Sequence, residues 1–147
     1  LGTDGMSSSM LRALRFAFLA QRSGTGDPTA GFVVHPRLLH ANAVVARRFF
    51  NEPLLGELAP GAPADICVVD CPPPTPISSD NLFAHLVYGA AEGPVRHTIA
   101  RGELVLEDFR HTTLDPAAIA EVARTEAPGL WERFRALGDS PLDWLPV

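Results

Sequence analysis

Asp4 closes the apolar stub Leu1-Gly2-Thr3, and Gly5 and the serines Ser7, Ser8 and Ser9 follow it closely. A carboxylate where an extended segment enters a loop can take a proton from water, the work of a general base. Taken alone, the Asp4-Gly5 pair is simply a turn. The histidines, His35, His40, His85, His97 and His111, contain no His-x-His spacing. His85 follows Asn81 by four residues, so a helix there would offer a polar pair to a ligand. The plainer expectation is that His85 satisfies a backbone group or a subunit contact, and that His35 and His40 are surface or cap residues. Cys67 and Cys71 would lie about 13 Å apart along a strand, beyond the ~7 Å Cα reach of a disulfide. They read as small buried apolar side chains. All twelve basic residues are arginine, which excludes Schiff-base and P-loop lysines. Gly24-Thr25-Gly26 is too short to cradle phosphate.

The elements that must position these residues follow from periodicity and turn chemistry. Leu1 to Thr3 reads as a strand end. Residues 9–21 predict a helix with Leu11, Leu14 and Phe18 on its buried face, flanked by Arg12, Arg15 and Arg22. A loop is expected over 23–30. Residues 36–50 predict a second helix with Leu38, Asn42, Val45 and Phe49 on one face and Arg47 and Arg48 in its last turn. The run 64–70 is too short for a helix and rich in β-branched residues, a strand expected to be buried on both faces. A proline cluster, 72–76, then leads to a helix over 81–91 capped by Ser79-Asp80. Residues 95–100 and 103–107 predict a hairpin turning at Arg101-Gly102, in one sheet with 64–70. Asp115 and Pro116 open a last helix, which Pro128 is expected to break or kink. Trp131 and Trp144 read as anchors that dock this tail, in preference to base-stacking groups.

The composition limits the classes. With 147 residues, 46% of them hydrophobic, the chain can hold an ordinary core, burying roughly 68–70% of its unfolded surface. A net charge of -5 with scattered acids gives no nucleic-acid footprint. No run approaches the ~18 apolar residues of a membrane span. Two cysteines without a disulfide framework suit a reducing cytoplasm. The chain opens at Leu1 in mid-phrase, without an initiator methionine, so an earlier part of the protein is expected upstream.

Four stretches together resemble the amidohydrolase superfamily, and cover nearly the whole chain. They are Leu1-Gly2-Thr3-Asp4-Gly5; Gly56-Glu57-Leu58 with Pro60-Gly61 and Ala64-Asp65-Ile66; Pro73-Pro74-Thr75-Pro76 through Asp80-Asn81-Leu82 to His85-Leu86-Val87-Tyr88-Gly89; and 95–106 with its Arg101-Gly102 turn. The resemblance is to the branch of cytosine and guanine deaminases and triazine chlorohydrolases, and most closely to aminohydrolases linked to selenium metabolism. It implies an α/β fold: the C-terminal portion of a (β/α)8 barrel over residues 1–52, a small β-sandwich with an inserted helix over 53–110, and a C-terminal helical tail over 111–147. It also implies a divalent metal, zinc or iron(II), whose His-x-His and single-histidine ligands have no counterpart in this chain. By the resemblance, Asp4 is both catalytic and metal-binding, and Thr3, Ser7 and Ser8 stand at the wall of the substrate pocket. The implied reaction is attack of metal-activated water on an amino- or chloro-substituted nitrogen compound, most readily a hydrolytic deamination. The expected partners are a small-molecule substrate and the missing N-terminal barrel portion or a partner chain that replaces it, with no nucleic acid, no membrane and room for a homo-oligomer. The alternative is a non-catalytic β-rich interaction or regulatory module, or half of a split enzyme. Either way, this chain alone is expected to be inactive.

Overall fold

The computed structural model describes residues 1–5, 7–32 and 34–137, which build an α/β fold in two compact units, Leu1–Thr112 and a second starting at Thr113. In the first unit, α1 (Met10–Thr25) begins where the Ser9 hydroxyl accepts the Arg12 N–H at 3.3 Å. It ends only where Gly26 takes a φ of 68° and donates its N–H to the Arg22 carbonyl at 2.9 Å. The helix therefore absorbs residues 23–25, which were expected in the loop. Leu14 and Phe18 on its inner face are fully buried and, with Val87, form the core, against which Leu1, Leu39 and Phe83 pack.

The second helix, α2 (Val34–Phe50), stops at Asn51, whose φ is 54°. Its last turn carries Arg47, which donates from Nε to the Leu55 carbonyl at 2.8 Å and pairs with Glu57. This ties the helix to the turn chemistry that follows. The face that carries Leu38, Asn42, Val45 and Phe49 is not evenly buried. Asn42 is half-buried, but Val45 and Phe49 are 55% and 82% exposed. The helix is apolar on more than one side, and only the Leu39 side meets the core of this unit.

A four-stranded antiparallel sheet follows, in the order β1 (Ile66–Val69), β2 (Val95–Ala100), β3 (Glu103–Glu107), β4 (Arg110–His111). The β2–β3 hairpin turns at Arg101 and Gly102, with φ of 50° and 83°, the positive pair that a two-residue I′ turn needs. Beyond the expected strands, β4 adds a short edge after a second tight turn, Asp108-Phe109, where φ is 44° and 67°. Burial of β1 on both faces is corrected, since Cys67 and Val68 are exposed and Cys71 is only half-buried. The described residues hold one sheet, so its second face has no layer packed on it to bury them. Leu1 to Thr3 pair with no strand either, because a ladder needs a neighbour.

Between β1 and β2 the expected helix is a single α-turn, α3 (Leu82–His85), which widens into a π-helical segment, Leu86–Ala90. Ala91 donates to the Leu86 carbonyl at 2.9 Å, the five-residue step of a π-turn. Asn81, not Ser79-Asp80, stands at the N-cap position. Its amide accepts the Ser78 N–H at 2.8 Å and donates to the Pro76 carbonyl at 2.9 Å, so it fixes the proline loop instead of capping the helix. The widened turn delivers Val87 to the core and Tyr88 to the Phe18 ring at 5.8 Å.

In the second unit, α4 (Pro116–Ala136) is capped by Asp115, whose carboxylate accepts the Ala117 and Ala118 N–H groups at 2.9 and 3.1 Å. The helix is continuous through Pro128, so of the expected break or kink, the break does not occur. Proline loses one ladder bond there, and the turns on either side carry the helix past it. Trp131 is half exposed and meets Phe134 of its own helix edge-on at 5.9 Å, whereas Trp144 lies outside the described residues. Among the described residues no helix is long and apolar enough to cross a membrane.

Candidate functional site

The turn that carries Asp4 is held from both ends. On the N-terminal side Asn42 Nδ2 donates to the Leu1 carbonyl at 3.1 Å. The Leu1 side chain adds its packing on the core. On the other side, Ser7 Oγ accepts the Ser9 N–H at 3.0 Å, and Ser9 caps α1. Between these clamps Asp4 adopts a φ of 47°, a left-handed conformation that a short polar side chain tolerates better than most. Its side chain is exposed, and among the described residues no hydrogen bond or ion pair engages the carboxylate. A free carboxylate on a clamped turn can accept a proton or contact a cation.

The structure separates the other site candidates into two groups. Ser7 and Ser8 line a cleft of about 700 Å³ with Cys67, Val69, Leu86 and Val95, between the start of α1 and the sheet. Thr3, half-buried, and Asp4 stand outside that lining. His85 is half-buried and faces Thr75 Oγ1 at 3.3 Å across its Nε2. His97 lies beside Asp108, whose N–H donates to His97 Nδ1 at 3.3 Å. The hydrogen bond from Arg96 Nε, at 2.8 Å, holds the Asp108 carboxyl below its usual range. None of these contacts assembles a metal site. Among the described residues no group of three or more His, Cys, Asp or Glu side chains is close enough to hold an ion. Catalytic zinc usually takes three protein ligands, so Asp4 fits as one donor and this chain does not fit as the whole site.

Two structural residues escaped the sequence reading. Asn42 sat on one predicted helix face without a partner in view, and its amide clamps the Leu1 carbonyl. Arg22, read as flanking the apolar stripe, lays its guanidinium over the Phe18 and Phe32 rings at 4.2 and 4.9 Å, and donates to the Tyr88 hydroxyl at 3.0 Å. An arginine one turn beyond Phe18 was the available signal; the partners came from distant segments.

The sequence profile of the Amidohydrolase family matches residues 1–105, a span that includes the Asp4 turn, the helices beneath it and most of the sheet. The chain belongs to the amidohydrolase family. It is 35% identical over 136 residues to the 5-methylthioadenosine/S-adenosylhomocysteine deaminase of Syntrophobacter fumaroxidans, covering 87% of this chain and 31% of that protein. It is 33% identical over 140 residues to the 5'-deoxyadenosine deaminase of Methanosarcina acetivorans, covering 92% of this chain and 32% of that protein. The deaminase of Haloquadratum walsbyi named for the same two substrates as the first is 31% identical, with 91% of this chain and 30% of that protein covered. The chain therefore spans about a third of the length of these relatives. No solved structure matches it.

Proposed function

We propose that the intact protein is a hydrolase that deaminates adenosine-type compounds, with Asp4 as the proton acceptor for the attacking water. The observation that carries this reading is the free, exposed carboxylate of Asp4 on a turn clamped by Asn42 and Ser7, within the span matched by the family. Deaminase names among the relatives support the choice of reaction. Water adds across the ring C=N bond at the carbon that bears the amino group, with Asp4 accepting its proton and passing it on; the two protons of the water end on the ring nitrogen and on the amino group, so the exocyclic C–N bond breaks, ammonia leaves and a C=O bond takes its place. The metal implied by the family, zinc or iron(II), would supply Lewis-acid chemistry at this point. In this chain Asp4 is the residue that would contact it. Ser7 and Ser8 belong to the pocket wall in this reading, on the serine-lined side of the cleft, and Thr3 joins them from outside that cleft, beside Asp4.

The single sheet and the exposed β1 residues support a fold completed by more of the protein. We infer that residues 1–52 close a (β/α)8 barrel, that 53–110 form part of a β-sandwich, and that the setting is the reducing cytoplasm in which Cys67 stays free. The rival reading is half of a split enzyme completed by a partner chain. A reading frame that continues upstream with a His-x-His after a strand separates the single enzyme from the split one. The direct test incubates the intact protein with adenosine, 5'-deoxyadenosine, 5'-alkylthioadenosines, and amino- and chloro-substituted pyrimidines and triazines. Ammonia released from the adenosine group supports the proposal. Chloride release alone, or no turnover with any of them, overturns it.

A further inference from the structure

The second unit lies beyond the span matched by the family profile, which ends at residue 105, and it carries a stripe that nothing in the proposed reaction uses. At about 100° per residue, Ile119, Val122, Glu126, Gly129, Leu130 and Arg133 fall along one side of α4, and Leu137 continues that side at the C-cap. Val122, Leu130 and Leu137 are 62%, 54% and 82% exposed. Pro128 falls on the opposite side, about 200° on from Glu126. From Val122 to Leu137 the stripe reads the same in both directions with its charges inverted: an apolar residue, an acid, a Gly-Leu centre, a base, an apolar residue. Glu126 and Arg133 are two turns apart, about 10 Å along the axis, so they cannot pair with each other in one helix. Among the described residues neither makes an ion pair, whereas Glu121 and Arg124, off the stripe, pair at 2.6 Å.

Gly129 is a second, independent observation. Glycine in a helix interior is destabilising, and here the chain's own packing does not require it. A Cβ at Gly129 would meet only Arg133 Nη1, at 3.7 Å, an ordinary contact. A position with room for a side chain, yet without one, suits the close approach of another backbone.

We propose that α4 is a self-association surface on which two copies of this chain pair antiparallel about a two-fold axis at Gly129-Leu130. In that register Glu126 of each copy faces Arg133 of the other, Val122 faces Leu137, and Leu130 fills the space over Gly129. The contact is isologous, so each pairing occurs twice and the assembly closes at two copies. Two charge pairs at the edge of a short apolar seam set register and partner choice more than raw affinity.

Sedimentation equilibrium on the full chain tests this with a charge-swap series. The wild type is expected to dimerise. Glu126→Arg and Arg133→Glu should each weaken the dimer at least about tenfold, because each places two like-charged pairs at the seam. Mixing the two single variants should restore dimers, since both seam charges are then basic on one copy and acidic on the other, and each pair is again of opposite sign. Gly129→Leu should raise helix content in circular dichroism while weakening association, opposite signs that a purely structural glycine would not give. A monomeric wild type overturns the proposal. So does association that the single reversals leave unchanged, or a mixture that associates no better than its components, which would mean that other exposed apolar surface is responsible.

Discussion

Asp4 and Phe109 show how much a single backbone angle can mean. Both stand at positive φ, 47° and 67°, but only Asp4 has a side chain suited to that region and free for chemistry. At Phe109 the conformation costs roughly 1–2 kcal/mol for an L-residue, and nothing in the β3–β4 turn uses the ring, which is 48% exposed. Phe109→Gly should therefore stabilise the unit by about 0.5–1 kcal/mol once the added freedom of the unfolded glycine is subtracted. Urea melts of the two proteins check this; a lowered midpoint would show that the ring contributes packing. In the same hairpin the hydrogen bond from Arg96 lowers the Asp108 pKa. A carboxylate depressed in the folded state adds stability above its unfolded pKa and loses it as pH falls through the folded value. Arg96→Ala should flatten the acid side of the stability profile, and more visibly at low salt, because both side chains are exposed. An unchanged acid limb in the variant would rule out this pair as its source.

At the level of elements, legibility followed the range of the interactions. The Ser9 and Asp115 caps, the Arg101-Gly102 turn and the Arg47-Arg48 helix end are decided within a few residues, and the structure places each where its local chemistry put it. What was misread or left open depended on distant partners. Val45 and Phe49 share one predicted face, but the core lies on the Leu39 side of α2. Cys67 and Val68 have the composition of a buried strand, yet a second layer decides whether they are covered. The π-widened turn at Leu86 was invisible because the apolar stretch 81–91 predicts one helix, not its slippage to a five-residue step. Asp4 was legible as a candidate only because four collinear stretches resembled a family; the turn alone would have passed as a turn. One tight element contact gives a sharp test. Gly93 sits where a Cβ would come within 2.8 Å of the Asp70 carbonyl oxygen and 2.9 Å of Val69 Cγ1. Gly93→Ala should cost about 1–3 kcal/mol as overpacking against backbone that cannot give way. A neutral melt would mean that the β1–β2 junction yields more readily than these contacts imply.

At the level of the whole molecule, a buried apolar set of only Leu14, Phe18, Val87 and Ala91 among the described residues, and the exposed large apolar side chains of the first unit, such as Phe16, Phe49, Phe50 and Leu58, fit a unit that works with further protein around it. The same incompleteness applies to the metal. Purified alone, the chain should hold well under one equivalent of zinc or iron by elemental analysis, because one carboxylate is far from the three protein ligands of a catalytic site. About one tightly bound ion per chain would reveal a ligand set outside the one described. The central claim joins Asp4 to the chemistry of the intact protein, and Asp4→Asn tests it most directly. Asparagine keeps the size of the side chain and tolerates the left-handed turn, but it cannot accept the proton from water. Steady-state ammonia release by the intact protein on its best adenosine-type substrate should fall at least about 10²-fold, the low end of general acid–base catalysis, with the thermal midpoint little changed. Turnover within a few-fold of wild type would contradict the account, making Asp4 a turn residue and leaving the family relationship without a catalytic side chain in this part of the protein.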